Sequence, residues 1–149
     1  MQASDEDTAV ASGVVVGVDG SAVSELAVGY AFEQAALRGV PLEVVHVWWI
    51  TGLGGLTQDI KNDMITQQRL TLSETLVGWS EKYPDVEVRE SLPVGPTVFA
   101  LTEAAKNAEL LVVGSRGRGG FRSLLLGSVS QGVLQHASCT VAVVRARSV

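Results

Sequence analysis

Residues 108–131 read AELLVVGSRGRGGFRSLLLGSVSQ. The segment AELLVVG is a short apolar run closing on a glycine, the pattern of a strand buried on both faces. From Gly127 the run GSVSQGVLQHAS reads as a short helix. Between the two lies a loop that, counted over residues 114–131, holds five glycines and three arginines in a chain whose net charge is -5. Strand, loop and helix in that order imply a crossover, and parallel strands need crossovers.

Outward from this stretch the same rhythm recurs. GVVVGVD (13–19) is a valine-rich strand ending in a turn. SAVSELAVGYAFEQAALRG (21–39) is a helix with Ser21 as N-cap, Leu26, Tyr30, Glu33 and Leu37 at helical spacing, and Gly39 as its stop. PLEVVHVWW (41–49) is a second strand, rich in β-branched and aromatic residues. ITGLGGLTQ (50–58) is a loop, and residues 59–83 form a long helix halted before Pro84. DVEVRESL (85–92) alternates as a third strand, and residues 95–108 form a helix with Pro96 in its first turn. CTVAVVRA (139–146) is the fifth strand.

Five strands alternating with four helices give an α/β, doubly wound parallel sheet with right-handed crossovers. Ligands of such sheets bind beyond the carboxyl ends of the strands, where the strand order reverses. If the chain starts mid-sheet, strands one and four lie side by side there, and Asp19 and Gly114 flank one crevice.

The bulk properties narrow the function. At 149 residues one domain is expected, burying roughly 68–70% of the unfolded surface. Residues 1–12 read as a disordered leader or linker, since they lack the basic and apolar regions of a signal peptide, and residues 13–149 read as a single domain. One cysteine, Cys139, and two histidines leave no internal disulfide and too few ligands for structural zinc. The apolar runs are too short to cross a bilayer, and the acidic balance argues against a nucleic-acid or membrane-surface partner. A cytoplasmic protein is expected.

The glycine loop fits neither common phosphate fingerprint. A Walker A loop begun at Gly114 meets Gly119 correctly, but Gly120 and Phe121 stand where lysine and a hydroxyl residue are required. The first turn, GVDGSA, lacks the dinucleotide G-x-G-x-x-G. What remains is Gly114, two residues, Gly117, nine residues, Gly127 and Ser128. Glycines without Cβ let backbone N–H groups approach a ligand, and the helix opening at Ser128 supplies free N–H groups and about half a positive charge. Ser128 and Ser130 add hydroxyls. The pattern suits an anion of phosphate type, held first by backbone; Arg116 and Arg118 are either phosphate contacts or solvated loop charges.

These residues, together with VVVGVDGS, VVHVW and TVAVV, resemble the universal stress proteins, in particular their ATP-binding branch with the G-x2-G-x9-G-[ST] motif. The resemblance covers nearly all of residues 13–145. It implies a three-layer, five-stranded parallel sheet of order 3-2-1-4-5, adenine nucleotide alpha hydrolase-like. It further implies that Asp19 and the Val47 backbone contact adenine, that Gly17 and Val18 line the same wall, and that Gly114 lies against ribose. Gly117, Gly127, Ser128, Val129 and Ser130, with Arg116, would hold the phosphates of ATP and any Mg2+ bound to them. A homodimer through strand 140–144 is implied too, and pairing would cover an open apolar edge. Trp48 and Trp49 stand where they can cover the adenine end.

No general base is evident beside the phosphates, so a nucleotide-dependent regulator of the stress response is expected rather than an enzyme. A slow ATPase or adenylating enzyme of the same superfold and a scaffold that binds no nucleotide remain the alternatives. His46 reads as a core or rim histidine, His136 as a charge favouring a helix end, Cys139 as a small hydrophobe, Trp79 and Tyr83 as packing residues, and Gly132 as either a site of close helix-to-sheet contact or a merely tolerated glycine.

Overall fold

A computed structural model describes residues 13–19, 21–48, 57–115 and 126–146. Strands β1 (Val14–Val18), β2 (Leu42–His46), β3 (Val88–Ser91), β4 (Leu110–Gly114) and β5 (Thr140–Val144) alternate with helices α1 (Ala22–Arg38), α2 (Gln58–Lys82), α3 (Thr97–Ala104) and α4 (Ser128–His136). The strands form one parallel sheet of order β3-β2-β1-β4-β5.

Local chemistry sets the helix limits. Ser21 Oγ accepts the Ser24 N–H at 3.1 Å, and Gly39 closes α1 at φ 67 with its N–H on Ala35 and Ala36 carbonyls, a conformation that favours glycine. Thr57 caps α2 in the same way. Helix α3 is shorter than expected: residues 105–108 leave the helix, and Pro96 is its N-cap rather than a first-turn residue. Pro96 brings no side-chain cap, and Ala105 closes the helix without a glycine stop. Strand β3 is also trimmed to four residues.

Alternation along the strands divides the core. Val14, Val16, Leu42, Val44, Leu110 and Val112 face α1 and α2, while Val15, Val45, Leu111 and Val113 face α3 and α4. The first two crossovers therefore cover one face and the last two the other, as right-handed connections require when the strand order reverses at β1. Trp79 and Tyr83 are packing residues, stacked on buried Phe32 at 6.3 and 5.9 Å. The Trp79 ring fits because Gly29 has no Cβ; one would lie 2.6 Å from it. In α1 the helical spacing of Leu26, Tyr30 and Leu37 marks the outer face: all three are exposed, and Ala27, Val28, Ala31, Phe32 and Ala35 are buried instead. Gly132 serves helix-to-helix contact, not helix-to-sheet, because a Cβ there would sit 2.6 Å from Val98 of α3.

One detail of register creates the site. β1 and β2 pair as far as Val18 and His46, and β4 and β5 as far as Gly114 and Val144. The β1–β4 ladder stops earlier, at Val16 and Val112. The two central strands thus part at their carboxyl ends.

Candidate functional site

A cavity of about 480 Å3, taken out to its mouth, occupies that split. Its floor is made by the ends of β1 (Gly17, Val18, Asp19), β2 (Val45, Val47) and β4 (Val113, Gly114). Thr97 and Leu101 of α3 form one wall, Ser24 of α1 a second, and Gly127, Val129 and Ser130 a third at the start of α4. The walls near the strands are mostly valine and leucine, and polar groups gather at the two turns.

Asp19 is held by the turn it begins. Its Oδ1 accepts the Ser21 N–H at 2.9 Å, and its own N–H donates to Ser24 Oγ at 3.1 Å. Its role as a turn residue is therefore real, and the same turn delivers it to the cavity.

The glycine loop is closed at its base by a clasp. The Ser115 N–H donates to the Val144 carbonyl at 2.7 Å, and the Ser115 carbonyl accepts the Gly127 N–H. The Ser130 hydroxyl, 1% exposed, donates to the Ser115 and Gly127 carbonyls at 2.9 and 3.1 Å. The first bond within α4 runs from the Gln131 N–H to the Gly127 carbonyl. Four N–H groups open any α-helix without an intrahelical partner. Here Gly127 spends its N–H on Ser115, which leaves those of Ser128, Val129 and Ser130, with the partial positive charge of the terminus.

Eight of the expected residues meet at the cavity: Gly17, Val18, Asp19, Val47, Gly114, Gly127, Val129 and Ser130. Ser128 does not line it, and its side chain is exposed. The Ser130 hydroxyl, expected as a ligand donor, commits its proton to the loop base. Gly114 and Gly17 border the cavity, yet their lack of Cβ also has a packing cause: Val23 would be 2.8 Å and Leu101 2.9 Å from a Cβ at each. Trp48 does not cover the site; it is buried, with Nε1 donating to the Leu92 carbonyl at 3.0 Å. Arg116, Gly117, Arg118 and Trp49 lie outside the described residues.

Sequence reasoning missed Ser24, Thr97, Leu101, Val45 and Val113. Val45 follows from strand alternation, two residues before Val47 on the same face, whereas Val113 alternates with Gly114 and faces the α3–α4 core. Ser24, Thr97 and Leu101 carry no local signal, because only helix packing brings them over the strand ends. His46 ends β2 half-buried at the rim, and His136 sits in the last turn of α4, as expected. Cys139 precedes β5 and packs partly buried against the α3–α4 core; burial pushes its thiol up, the direction that favours the protonated form. Among the described residues no cluster of three or more histidine, cysteine or acidic groups is placed to hold a metal, and no helix is long and apolar enough to cross a membrane.

A sequence model of the universal stress protein family matches residues 13–145. A universal stress protein of Mycolicibacterium smegmatis is 45% identical over 134 residues, covering 90% of this chain and 46% of its own length. The chain spans about half the length of the curated relatives it matches. Among solved structures, a universal stress protein in complex with cAMP shares 27% identity at a TM-score of 0.64, covering 90% of this chain and 96% of the other. The universal stress protein of Archaeoglobus fulgidus in complex with dAMP shares 29% identity at 0.63, covering 89% and 96%. The sheet order and its helices are those of the adenine nucleotide alpha hydrolase-like fold. With a family match across residues 13–145 and a relative of 45% identity over 90% of this chain, this chain belongs to the universal stress protein family.

Proposed function

We propose that the crevice binds an adenine nucleotide, ATP with Mg2+ held by its phosphates, and that occupancy sets the state of a regulatory dimer. The observation that carries this reading is the start of α4, where Val129 and Ser130, whose N–H groups have no partner within the helix, line the cavity between β1 and β4. Two similar proteins were solved with cAMP and with dAMP, which supports the adenine class. The base enters among Val18, Val45 and Val47, where apolar walls favour a flat ring and Asp19 offers an acceptor to its amino group. The phosphates lie toward α4, and the family resemblance assigns Gly117 and Arg116 to them as well. β5 pairs only with β4 among the described residues, so its outer edge is the surface for a second copy.

The protein acts in the cytoplasm as a binding module, with any hydrolysis below about 1 s⁻¹, the low end of the enzyme range. The test is to denature freshly purified protein, identify released nucleotide by mass spectrometry, and titrate stripped protein calorimetrically with ATP, ADP, AMP and cAMP. ATP is expected to be carried or to bind, and Gly117→Glu to abolish binding with the circular dichroism and the dimer unchanged. A stripped protein that takes up no adenine nucleotide refutes the reading.

A further inference from the structure

At the amino end of the sheet, opposite the nucleotide crevice, a second cleft of about 570 Å3 lies beneath the end of α3. It exists because α3 ends at Ala104 and the chain turns through Lys106 and Asn107, leaving the starts of β1, β2 and β3 partly uncovered on that face. Glu43 of β2 lines it. In register it lies between Val15 of β1 and Arg89 of β3, on the face where Val15 and Val45 are buried core.

A carboxylate half-buried on an inner strand is costly unless something bonds to it. Among the described residues nothing donates a hydrogen bond to Glu43. Arg89, its register neighbour, turns its Nε to Glu87 at 3.2 Å, which leaves the two Nη groups without a hydrogen-bond partner among the described residues. Burial holds the Glu43 carboxyl above the ordinary range, and the Arg89 charge opposes this only in part. The fold therefore keeps a charged pair that stabilises it little, with Glu103, Lys106 and Asn107 around the rim of the same cleft.

We propose that this cleft is a binding site for a small zwitterion of the amino-acid class, its ammonium on Glu43 and its carboxylate on Arg89. Both signs within one cleft select such a ligand. A free anion meets Glu43 and Glu103, and a free cation or a metal ion meets Arg89 and Lys106, so each is repelled by half of the site. Glu43 accepts from the ammonium in a partly dry setting, where a charge-assisted bond is stronger than in water. The Arg89 fork and the Asn107 amide match a carboxylate.

The test is titration of the full chain, followed by amide shifts in nuclear magnetic resonance, with the standard L-amino acids in turn and with methylammonium and acetate as half-ligands. At least one amino acid is expected to shift the amides of residues 42–43, 89 and 103–107 at millimolar concentration or below, and each half-ligand to bind at least about tenfold more weakly. Glu43→Gln and Arg89→Gln should each weaken binding about tenfold or more, the loss of a charged hydrogen bond, with circular dichroism unchanged. No shift in these amides with any amino acid overturns the site. Equal binding by methylammonium or acetate overturns the zwitterion, and an affinity unchanged in Glu43→Gln overturns the assigned anchor.

Discussion

Replacing Ser130 by alanine separates a structural clasp from a ligand contact. The hydroxyl has one proton shared between the Ser115 and Gly127 carbonyls at 2.9 and 3.1 Å, so its removal costs one buried hydrogen bond, about 1 kcal/mol. Neither carbonyl is orphaned: Ser115 keeps the Gly127 N–H, and Gly127 keeps the Gln131 N–H at 3.0 Å. The larger penalty for an unpaired buried group therefore does not apply. Alanine also returns a few tenths of a kcal/mol in helix propensity. The net loss is about 0.5–1 kcal/mol, which lowers Tm by about 1–4 °C for a chain of this size. The backbone donors at the start of α4 survive the substitution, so ATP affinity should change by less than about threefold, under about 0.7 kcal/mol. Thermal unfolding of stripped protein and calorimetric titration measure the two quantities separately. An unchanged Tm together with a tenfold loss of ATP affinity would show the hydroxyl bonding to ligand and refute the clasp.

Two further substitutions test the packing and the electrostatics. Gly132→Ala gains about 1 kcal/mol of helix propensity, but its Cβ meets Val98 at 2.6 Å and overpacking costs about 1–3 kcal/mol. Denaturant unfolding should show a net loss of stability, relieved when Val98→Ala is added; a single variant as stable as the parent contradicts the close α3–α4 contact. Glu43→Gln should raise Tm near pH 7 and leave it unchanged near pH 4. The folded-state pKa of Glu43 is raised, so the folded protein holds that proton more tightly and the carboxyl lowers stability as pH rises above the unfolded value. A glutamine variant less stable at neutral pH would show that Arg89 outweighs desolvation.

Much of the site was legible because strand ends are legible. A parallel strand buried on both faces appears as an unbroken apolar run, so the residues where GVVVGVD and AELLVVG stop mark the carboxyl edge of the sheet, and Asp19 and Gly114 are found there. Glycine roles were harder to read. Spacing marks Gly114 as a position of close approach and the resemblance adds Gly17, but Val23 and Leu101, which approach them, come from distant helices. The hydroxyls likewise misled: Ser128 and Ser130 look equivalent in sequence, yet helical geometry turns one to solvent and buries the other.

The sequence by itself determined the α/β class, the five strands, the doubly wound topology and the helix terminus facing the crevice. Each follows from local periodicity, capping chemistry or the handedness of crossovers, none of which needs a distant partner. Only the tertiary structure decided how far the central ladder runs before β1 and β4 part, and which helix side chains close over the gap. It also decided which hydroxyl proton is spent on the loop base, and that Glu43 and Arg89 meet beneath a short α3. These depend on register and packing between segments far apart in the chain, where a shift of one residue turns a side chain to the opposite face.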